Sequence, residues 1–377
     1  MNILFYLTRY PGVGGIENVT NMIASKMLGD NKVSILSHCH QEGAVILDGV
    51  TTYFMPDSSA WVTSKNMQYA EELFLVEKFD AIIYQDSYAP TERIVCELTA
   101  RYNIPLYVFE HNSPLFVYNK RNLDPIYRIK GFLRRILHPY LLRKEIRRKR
   151  YLLEHATKYI LLSEKFIPEF CNLIGADEND NRIAYINNPI LPATCASLSG
   201  KENVILCVSR LAKEKCVDKM LLMWKDVSTH LPNWYFVIVG DGPERQILEQ
   251  YVKTQKLQRV EFTGFANPTE YYQKAKIFWM TSKFEGWGMT LVESMQYGCV
   301  PVAFKSFSSI ADIIDETNGC LINPNDNNLF IQKTLTLARN ETLYTEFSLS
   351  ARKKVEKFSI DSIINKWNCL LKGNLFD

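Results

Sequence analysis

Two glutamates eight residues apart, Glu285 and Glu293, flank the string Gly286-Trp287-Gly288-Met289-Thr290-Leu291-Val292. Carboxylates bond vicinal hydroxyls well, so a sugar or a ribose is a natural partner for the pair. Gly286 and Gly288 make a loop, and the residues from Thr290 onward read as a helix ending near Gly298. The N–H groups at the head of such a helix carry about half a positive charge, ready for an anion. Upstream, Arg210 and Lys215 flank a turn in Ser209-Arg210-Leu211-Ala212-Lys213-Glu214-Lys215. A guanidinium fork beside an ammonium point charge suits a diphosphate. In the first half of the chain, His111 in Glu110-His111-Asn112-Ser113-Pro114 could bond sugar hydroxyls or handle a proton, as could Glu110. Gly14 and Gly15, in Tyr10-Pro11-Gly12-Val13-Gly14-Gly15-Ile16-Glu17, would let backbone approach a phosphate or sugar. Each string also has a plainer reading: a tight turn, a cap, an ordinary charged surface or simple helix capping.

These residues share a position, because each follows a short apolar run. Ile3–Leu7, Val33–Leu36, Ala81–Tyr84, Leu106–Phe109 and Tyr159–Leu162 read as buried strands, and so do Val204–Val208, Tyr235–Val239, Ile277–Met280 and Val300–Ala303. Continuous apolar strands separated by helical patterns imply parallel sheets covered on both faces. The pattern runs twice. The fold class expected is therefore α/β, with two doubly wound Rossmann-like domains facing across a cleft. The polar, aperiodic stretch from Leu191 to Asn203 separates residues 1–190 from 203–358. The tail, 359–377, reads as an amphipathic helix through Ile360, Ile363, Ile364, Trp367 and Leu371. In open α/β sheets, ligands bind beyond the carboxyl ends of the strands, which is where the motifs lie.

Composition excludes other classes. In 377 residues, 47% are hydrophobic and 23% charged, a globular balance that rules out a disordered or collagen-like chain. Nine cysteines, an odd number with no C-x-x-C spacing, argue against a disulfide framework or zinc ribbon and for reduced thiols. His38-Cys39-His40 has no partner pair to complete a metal site. No apolar run is long enough to span a bilayer, and the start has no basic n-region, so the expected location is cytoplasmic. Net charge is +3, too balanced for a nucleic-acid binder overall. Lys120–Arg150, however, holds twelve basic residues against Asp124 and Glu145. Within it, 128–150 interleaves basic residues with Phe132, Ile136, Leu137, Leu141 and Leu142, with Pro139 marking a break. That pattern suits an anionic membrane surface or an ordinary solvated helix.

The ordered set resembles the retaining glycosyltransferases of family 4, glycosyl transferases group 1, with the GT-B fold. It comprises Gly14-Gly15, His111, Arg210 with Lys215, and Glu285 with Glu293. Val239-Gly240-Asp241-Gly242-Pro243, Phe262-Thr263-Gly264-Phe265 and Gly298-Cys299-Val300-Pro301-Val302 look like strings of that family too. The resemblance is dense from 203 to 325. It implies a nucleotide-sugar donor, a UDP-sugar by family frequency, held by the second domain. Arg210 and Lys215 would hold the diphosphate, Glu293 the ribose and Glu285 the donor sugar. Backbone at Gly288, Met289, Thr290 and Leu291 would meet phosphate or sugar, and backbone at Gly264 and Phe265 the base. Gly14 and Gly15 would approach the phosphate from the first domain, and His111 would contact the sugar. The implied catalytic set is His111, Glu285, Arg210 and Lys215. The acceptor, a glycan or lipid-linked sugar in cell-surface polysaccharide synthesis, would sit mostly in the first domain, to which the C-terminal helix returns.

There is no D-x-D string to hold a cation on the diphosphate, so no metal or other cofactor is expected; Arg210, Lys215 and the helix head would neutralise it. Trp287 departs from the Phe or Ser frequent in the family, which bears on sugar preference. The rival classes are a nucleotide-sugar epimerase or hydrolase of the same form, a non-catalytic nucleotide-sugar sensor and an NAD-dependent oxidoreductase. The last is opposed by two loops that fail G-x-G-x-x-G, with Glu17 and Arg245 at the sixth position.

Overall fold

A computed structural model describes residues 1–58, 60–85, 90–124, 129–193 and 200–373. Residues 194–199 of the expected linker, Arg128 at the head of the basic segment and the last residues of the tail lie outside that range. The chain forms two units. One comprises Met1–Leu191 together with Phe358–Asp377, and the other is Pro192–Lys357.

The first unit is built on a seven-stranded sheet: β1 (Asn2–Tyr6), β2 (Lys32–Ser37), β3 (Thr51–Phe54), β4 (Ala81–Tyr84), β5 (Leu106–Phe109), β6 (Lys158–Leu161) and β7 (Ile183–Tyr185). Its order is β3-β2-β1-β4-β5-β6-β7, with every pairing parallel. The second unit carries β8 (Glu202–Val208), β9 (Tyr235–Val239), β10 (Val260–Gly264), β11 (Ala275–Met280), β12 (Val300–Phe304) and β13 (Cys320–Ile322), in the parallel order β10-β9-β8-β11-β12-β13. The central strands are apolar throughout because helices cover both faces; every residue of β4 and of β12 is buried. Four strands were not among those expected from the sequence: β3, β7, β10 and β13. They are the four sheet edges.

Each sheet reverses its strand order once, between β1 and β4 in the first and between β8 and β11 in the second. The crevice outside the carboxyl ends of the strands at such a reversal is where doubly wound folds bind ligands.

The tail helix, Ile360–Leu371, belongs to the first unit and starts at Ser359, whose side chain caps it. Ile190 and Ser359 form a parallel bridge, with the Ile190 N–H donating to the Phe358 carbonyl (2.9 Å). Trp367 is fully buried, edge-on to Phe109 with ring centroids 5.2 Å apart.

The basic helix spans Ile129–His155 and runs through Pro139, where a break was expected. Pro139 lies on an exposed face, so water can take the carbonyl that the missing N–H leaves. The helix has two characters. Its first half carries Ile129, Phe132, Leu133, Ile136, Leu137, Tyr140 and Leu141 on one stripe at helical spacing, each between 42% and 80% exposed. Toward the other end, Arg148 and Lys149 turn inward. Arg148 reaches Glu92 (3.2 Å) and the Tyr84 hydroxyl (3.3 Å), while Lys149 pairs with Glu110 and Glu145. The basic run is therefore not one surface: Arg148 and Lys149 leave it for a buried ion network. Glu110 is a member of that network, also accepting from the Tyr159 hydroxyl (2.6 Å). It is an anchor and not the sugar ligand considered from the sequence.

Candidate active site

In the second unit, Arg210 sits on the loop after β8. Three backbone hydrogen bonds tie that loop to the Gly240–Glu244 turn: Ser209 N–H to Val239 O (3.0 Å), Leu211 N–H to Asp241 O (2.9 Å) and Glu244 N–H to Leu211 O (3.0 Å). The approach is too close for any side chain. A Cβ on Gly240 (φ 136°) would collide with the Ser209 carbonyl, and one on Gly242 (φ 158°) with the Leu211 carbonyl. The Gly240-Asp241-Gly242-Pro243 string is thus the seat of the Arg210 loop. Arg210 itself is 69% exposed along its side chain and bonds Glu214 at 2.7 Å.

The loop is also stitched to the segment after β11. Thr281 Oγ lies 3.0 Å from the Lys215 carbonyl and 2.9 Å from that of Cys216, and the Lys283 N–H donates to the Glu214 carbonyl (2.7 Å). Across this seam Lys215 Nζ meets Glu285 Oε1 at 2.5 Å. The pair therefore spans the strand-order reversal between β8 and β11. Ser309 Oγ pins the Gly286 carbonyl (3.0 Å), and Gly288, left-handed at φ 85°, ends the loop. The helix begins at Met289 and runs to Gln296, one residue earlier at its start than the sequence suggested. Trp287 is 2% exposed. Its bulk is packed inside the unit, not standing in an open site where it would bear directly on sugar size.

Glu293 lies inside that helix and accepts from the Tyr272 hydroxyl (2.9 Å). Burial pushes its carboxyl up, and the Tyr272 hydrogen bond opposes the rise. Gly264 (φ 75°) accepts from the Gly240 N–H (2.8 Å), and a Cβ there would press on Arg245, itself held by Asp241 and Glu249. Phe265 next to it is 88% exposed. One continuous set of contacts thus joins Gly264 to Gly240, to the Arg210 loop, to Lys215 and to Glu285.

In the first unit, Gly14 caps the helix Gly15–Met27 after β1. Gly12 and Gly14 are required by Glu17, whose buried carboxylate folds over them toward Arg9 (2.8 Å). Gly15 alone faces open space. A pocket of about 470 Å³ lies here, lined by Arg9, Gly14, Gly15, Glu17, Trp61 and Gln85 among others. Gln85 follows β4, so the pocket sits at the reversal between β1 and β4. His111, which follows β5, places Nε2 2.8 Å from Gln85 Oε1, to which Thr20 Oγ also donates at 3.1 Å. Burial pushes the His111 imidazole down to about 4, so it is neutral near neutrality and acts as a hydrogen-bonding group, not a cation. Gln85 Nε2 is buried with no partner among the described residues. Gln85, Thr20 and the folded-over Glu17 carry no motif. The signal for Gln85 was its place just after an apolar strand, which becomes meaningful only once the strand order is known. His38, from the His-Cys-His string, is a core group bonded to the Tyr6 hydroxyl (2.7 Å).

Residues 196–354 match the family model described as glycosyl transferases group 1. The second unit is a group 1 glycosyl transferase domain. That domain contains Arg210, Lys215, Gly264, Phe265, Glu285, Glu293 and the helix head between them. Among curated relatives, the chain is 31% identical over 175 residues to the amylovoran biosynthesis glycosyltransferase AmsD of Erwinia amylovora, covering 45% of this chain and 48% of that one. It is 27% identical over 286 residues to the GalNAc-α-(1→4)-GalNAc-α-(1→3)-diNAcBac-PP-undecaprenol α-1,4-N-acetyl-D-galactosaminyltransferase of Campylobacter jejuni, covering 74% and 72%. The matched stretch spans about half the length of the first of these curated relatives. The crystal structure of Anabaena HepE in complex with UDP superposes with a TM-score of 0.78 over 99% of this chain and all of that one, at 16% identity. The likeness is one of fold. The α/β architecture of a group 1 domain joined to a second parallel-sheet unit is shared along the whole length.

Proposed function

We propose that the protein is a retaining hexosyltransferase that moves a sugar from a nucleoside diphosphate donor, a UDP-sugar, to a glycan or lipid-linked acceptor in cell-surface polysaccharide synthesis. The observation that carries this reading is the Lys215–Glu285 pair across the β8/β11 reversal, with Arg210 on a backbone-clamped loop beside it and a helix head following Gly288. The names of the relatives and the UDP in HepE support the choice of chemistry.

The step proposed is displacement at the anomeric carbon. The C1–O bond to the diphosphate breaks and its electron pair leaves with the phosphate oxygen. Arg210 and Lys215 neutralise that charge, and the N–H groups from Gly288 to Leu291 add to them. The acceptor hydroxyl oxygen bonds C1 on the face the phosphate leaves, and its proton passes to the departing phosphate oxygen. Glu285 accepts from hydroxyls of the donor sugar and Glu293 from the ribose. Gly264 and Phe265 border the base. In the first unit, Gly14 and Gly15 offer backbone to the phosphate and neutral His111 bonds the sugar. No metal or other cofactor enters the step.

The exposed stripe of the basic helix is assigned to an anionic membrane surface, with Lys130, Arg135 and Lys144 as the complementary charges. Among the described residues no helix is long and apolar enough to cross a membrane, so contact would be peripheral, on the cytoplasmic face.

The test is thermal unfolding with UDP, GDP, ADP, NADH and a panel of UDP-sugars. A ligand at 100 times its dissociation constant stabilises the native state by about 2.7 kcal/mol. A shift with UDP, and a larger one with a single UDP-sugar, supports the reading and names the donor. A shift with NADH alone overturns it.

A further inference from the structure

Beside the basic helix lies a second pocket, of about 300 Å³, in the first unit. Five cations line it, Lys120, Arg121, Arg134, Lys144 and Arg148, against a single carboxylate, Glu145. That carboxylate is already engaged by Lys149 (3.4 Å) and Arg148 (3.9 Å). Asp124 answers Arg134 at 2.7 Å, and Glu92 answers Arg148. Lys120, Arg121 and Lys144 are exposed, and none of them is ion-paired to a carboxylate among the described residues. His138 also lines the pocket. It is 6% exposed, and its Nε2 is buried without a hydrogen-bond partner among the described residues. The rest of the wall is apolar, through Pro90, Phe116, Val117 and Leu141.

This lining fits an anion that brings an apolar chain with it. Like charges held together cost free energy unless an anion answers them, and a buried polar nitrogen costs free energy until it is bonded. A phosphate answers both needs: its oxygens accept from Arg and Lys, and one can accept from or donate to His138. Leu141 belongs at once to the pocket wall and to the exposed apolar stripe, so an alkyl chain leaving the pocket would run onto that stripe. On the inner side, Arg148 and Glu145 connect the pocket through Lys149 to Glu110, the neighbour of His111.

We propose that this pocket binds the phosphate or diphosphate of a lipid-linked acceptor. The inference rests on the transferase reading for its word acceptor, and on the pocket alone for its word phosphate. It separates phosphate recognition by a few cations from general attraction of the helix to negative membranes.

The full chain is tested by co-sedimentation with three vesicles: phosphatidylcholine alone, phosphatidylcholine with phosphatidylglycerol, and phosphatidylcholine with a polyprenyl phosphate at the same surface charge. The wild type is expected to prefer the polyprenyl phosphate over phosphatidylglycerol by about tenfold, the size of one charge-assisted hydrogen bond kept or lost. In K120A/R121A/K144A that preference disappears, while the unfolding shift with UDP is unchanged and shows the fold intact. Equal binding of the wild type to the two charged vesicles overturns the pocket assignment and leaves the transferase reading standing. Erasure of the preference by millimolar inorganic phosphate assigns the pocket to free phosphate and overturns it as well. A preference that survives the triple substitution overturns the choice of residues. Absence of any UDP shift, with the preference intact, removes the transferase reading and keeps the phosphate site.

Discussion

The two units place their candidate groups at the same point of the same topology, yet hold them differently. In the group 1 domain the groups are charged and partly exposed, on loops fixed by backbone hydrogen bonds; Lys215 meets Glu285, and Arg210 meets Glu214. In the first unit they are neutral and buried. His111, Gln85 and Thr20 form a chain of hydrogen bonds with no net charge. Exposed charge is screened by salt and indifferent to mild acid, whereas a buried imidazole is insensitive to salt and pays a large cost on protonation. The difference teaches that one half of the candidate site should answer to ionic strength and the other to pH.

Acid gives the largest expected effect. Burial lowers both His111 and His38 to about 4, below the value of an unfolded histidine. The unfolded chain therefore binds the protons first, and the stability these residues contribute is present above about pH 6.5 and lost as pH falls toward 4. By about pH 5 the first unit should lose on the order of 2 kcal/mol for each histidine. The group 1 domain, whose lowered Asp315 titrates near 2, should lose little over the same window. Denaturant unfolding at the two pH values, followed domain by domain, checks this; parallel losses in both units would break the comparison.

Lys215→Ala should lower turnover with a UDP-sugar by about a hundredfold or more, the size typical of removing one preorganised contact to developing charge. Steady-state kinetics with the fold verified by unfolding would show it, and retained turnover would remove Lys215 from the site. Gln85→Ala deprives buried His111 of its partner, which costs about 1–3 kcal/mol at most, so a loss near tenfold is expected. Because His111 is placed through Gln85, Gln85→Glu should shift the pH profile upward, a change that a purely structural role would not produce. Tyr272→Phe removes the hydrogen bond that opposes the rise in the Glu293 carboxyl. UDP affinity should fall a few-fold, more at about pH 6 than at about pH 8, because the carboxyl is then protonated sooner. Titration by calorimetry at both values would sharpen or dissolve the role given to Glu293.

How much of this was legible from the residues depends on burial. The interior strands announce themselves: Ala81–Tyr84 is apolar at every position because both faces are covered. The edge strands do not. Thr51–Phe54 and Ile183–Tyr185 have no fully buried residue, and their mixed composition carries no continuous apolar run. The same logic governs the site. Arg210, Lys215, Glu285 and Glu293 stand in compact strings because loops after strands collect charge, and their pairing needed only the sheet order. Gln85 meets His111 only because β4 lies beside β5, a neighbour relation that no local string encodes. Nor could the sequence say that Lys149 would turn inward to Glu110 while Phe132 turned out. Both lie in one basic, apolar run, and only the sheet beneath decides which face is buried.

One consequence follows from the bridge between Ile190 and Ser359. The second unit is spliced into the first, and a ribosome makes all of Pro192–Lys357 before it reaches Trp367. The group 1 domain can close its core from residues already synthesised. The first unit cannot, and until the tail helix emerges, the slot beside Phe109 and the helix Gly15–Met27 stays open. The unit translated first is thus the last to finish, and its unfilled slot is the stretch of apolar surface a nascent chain must keep from sticking for longest.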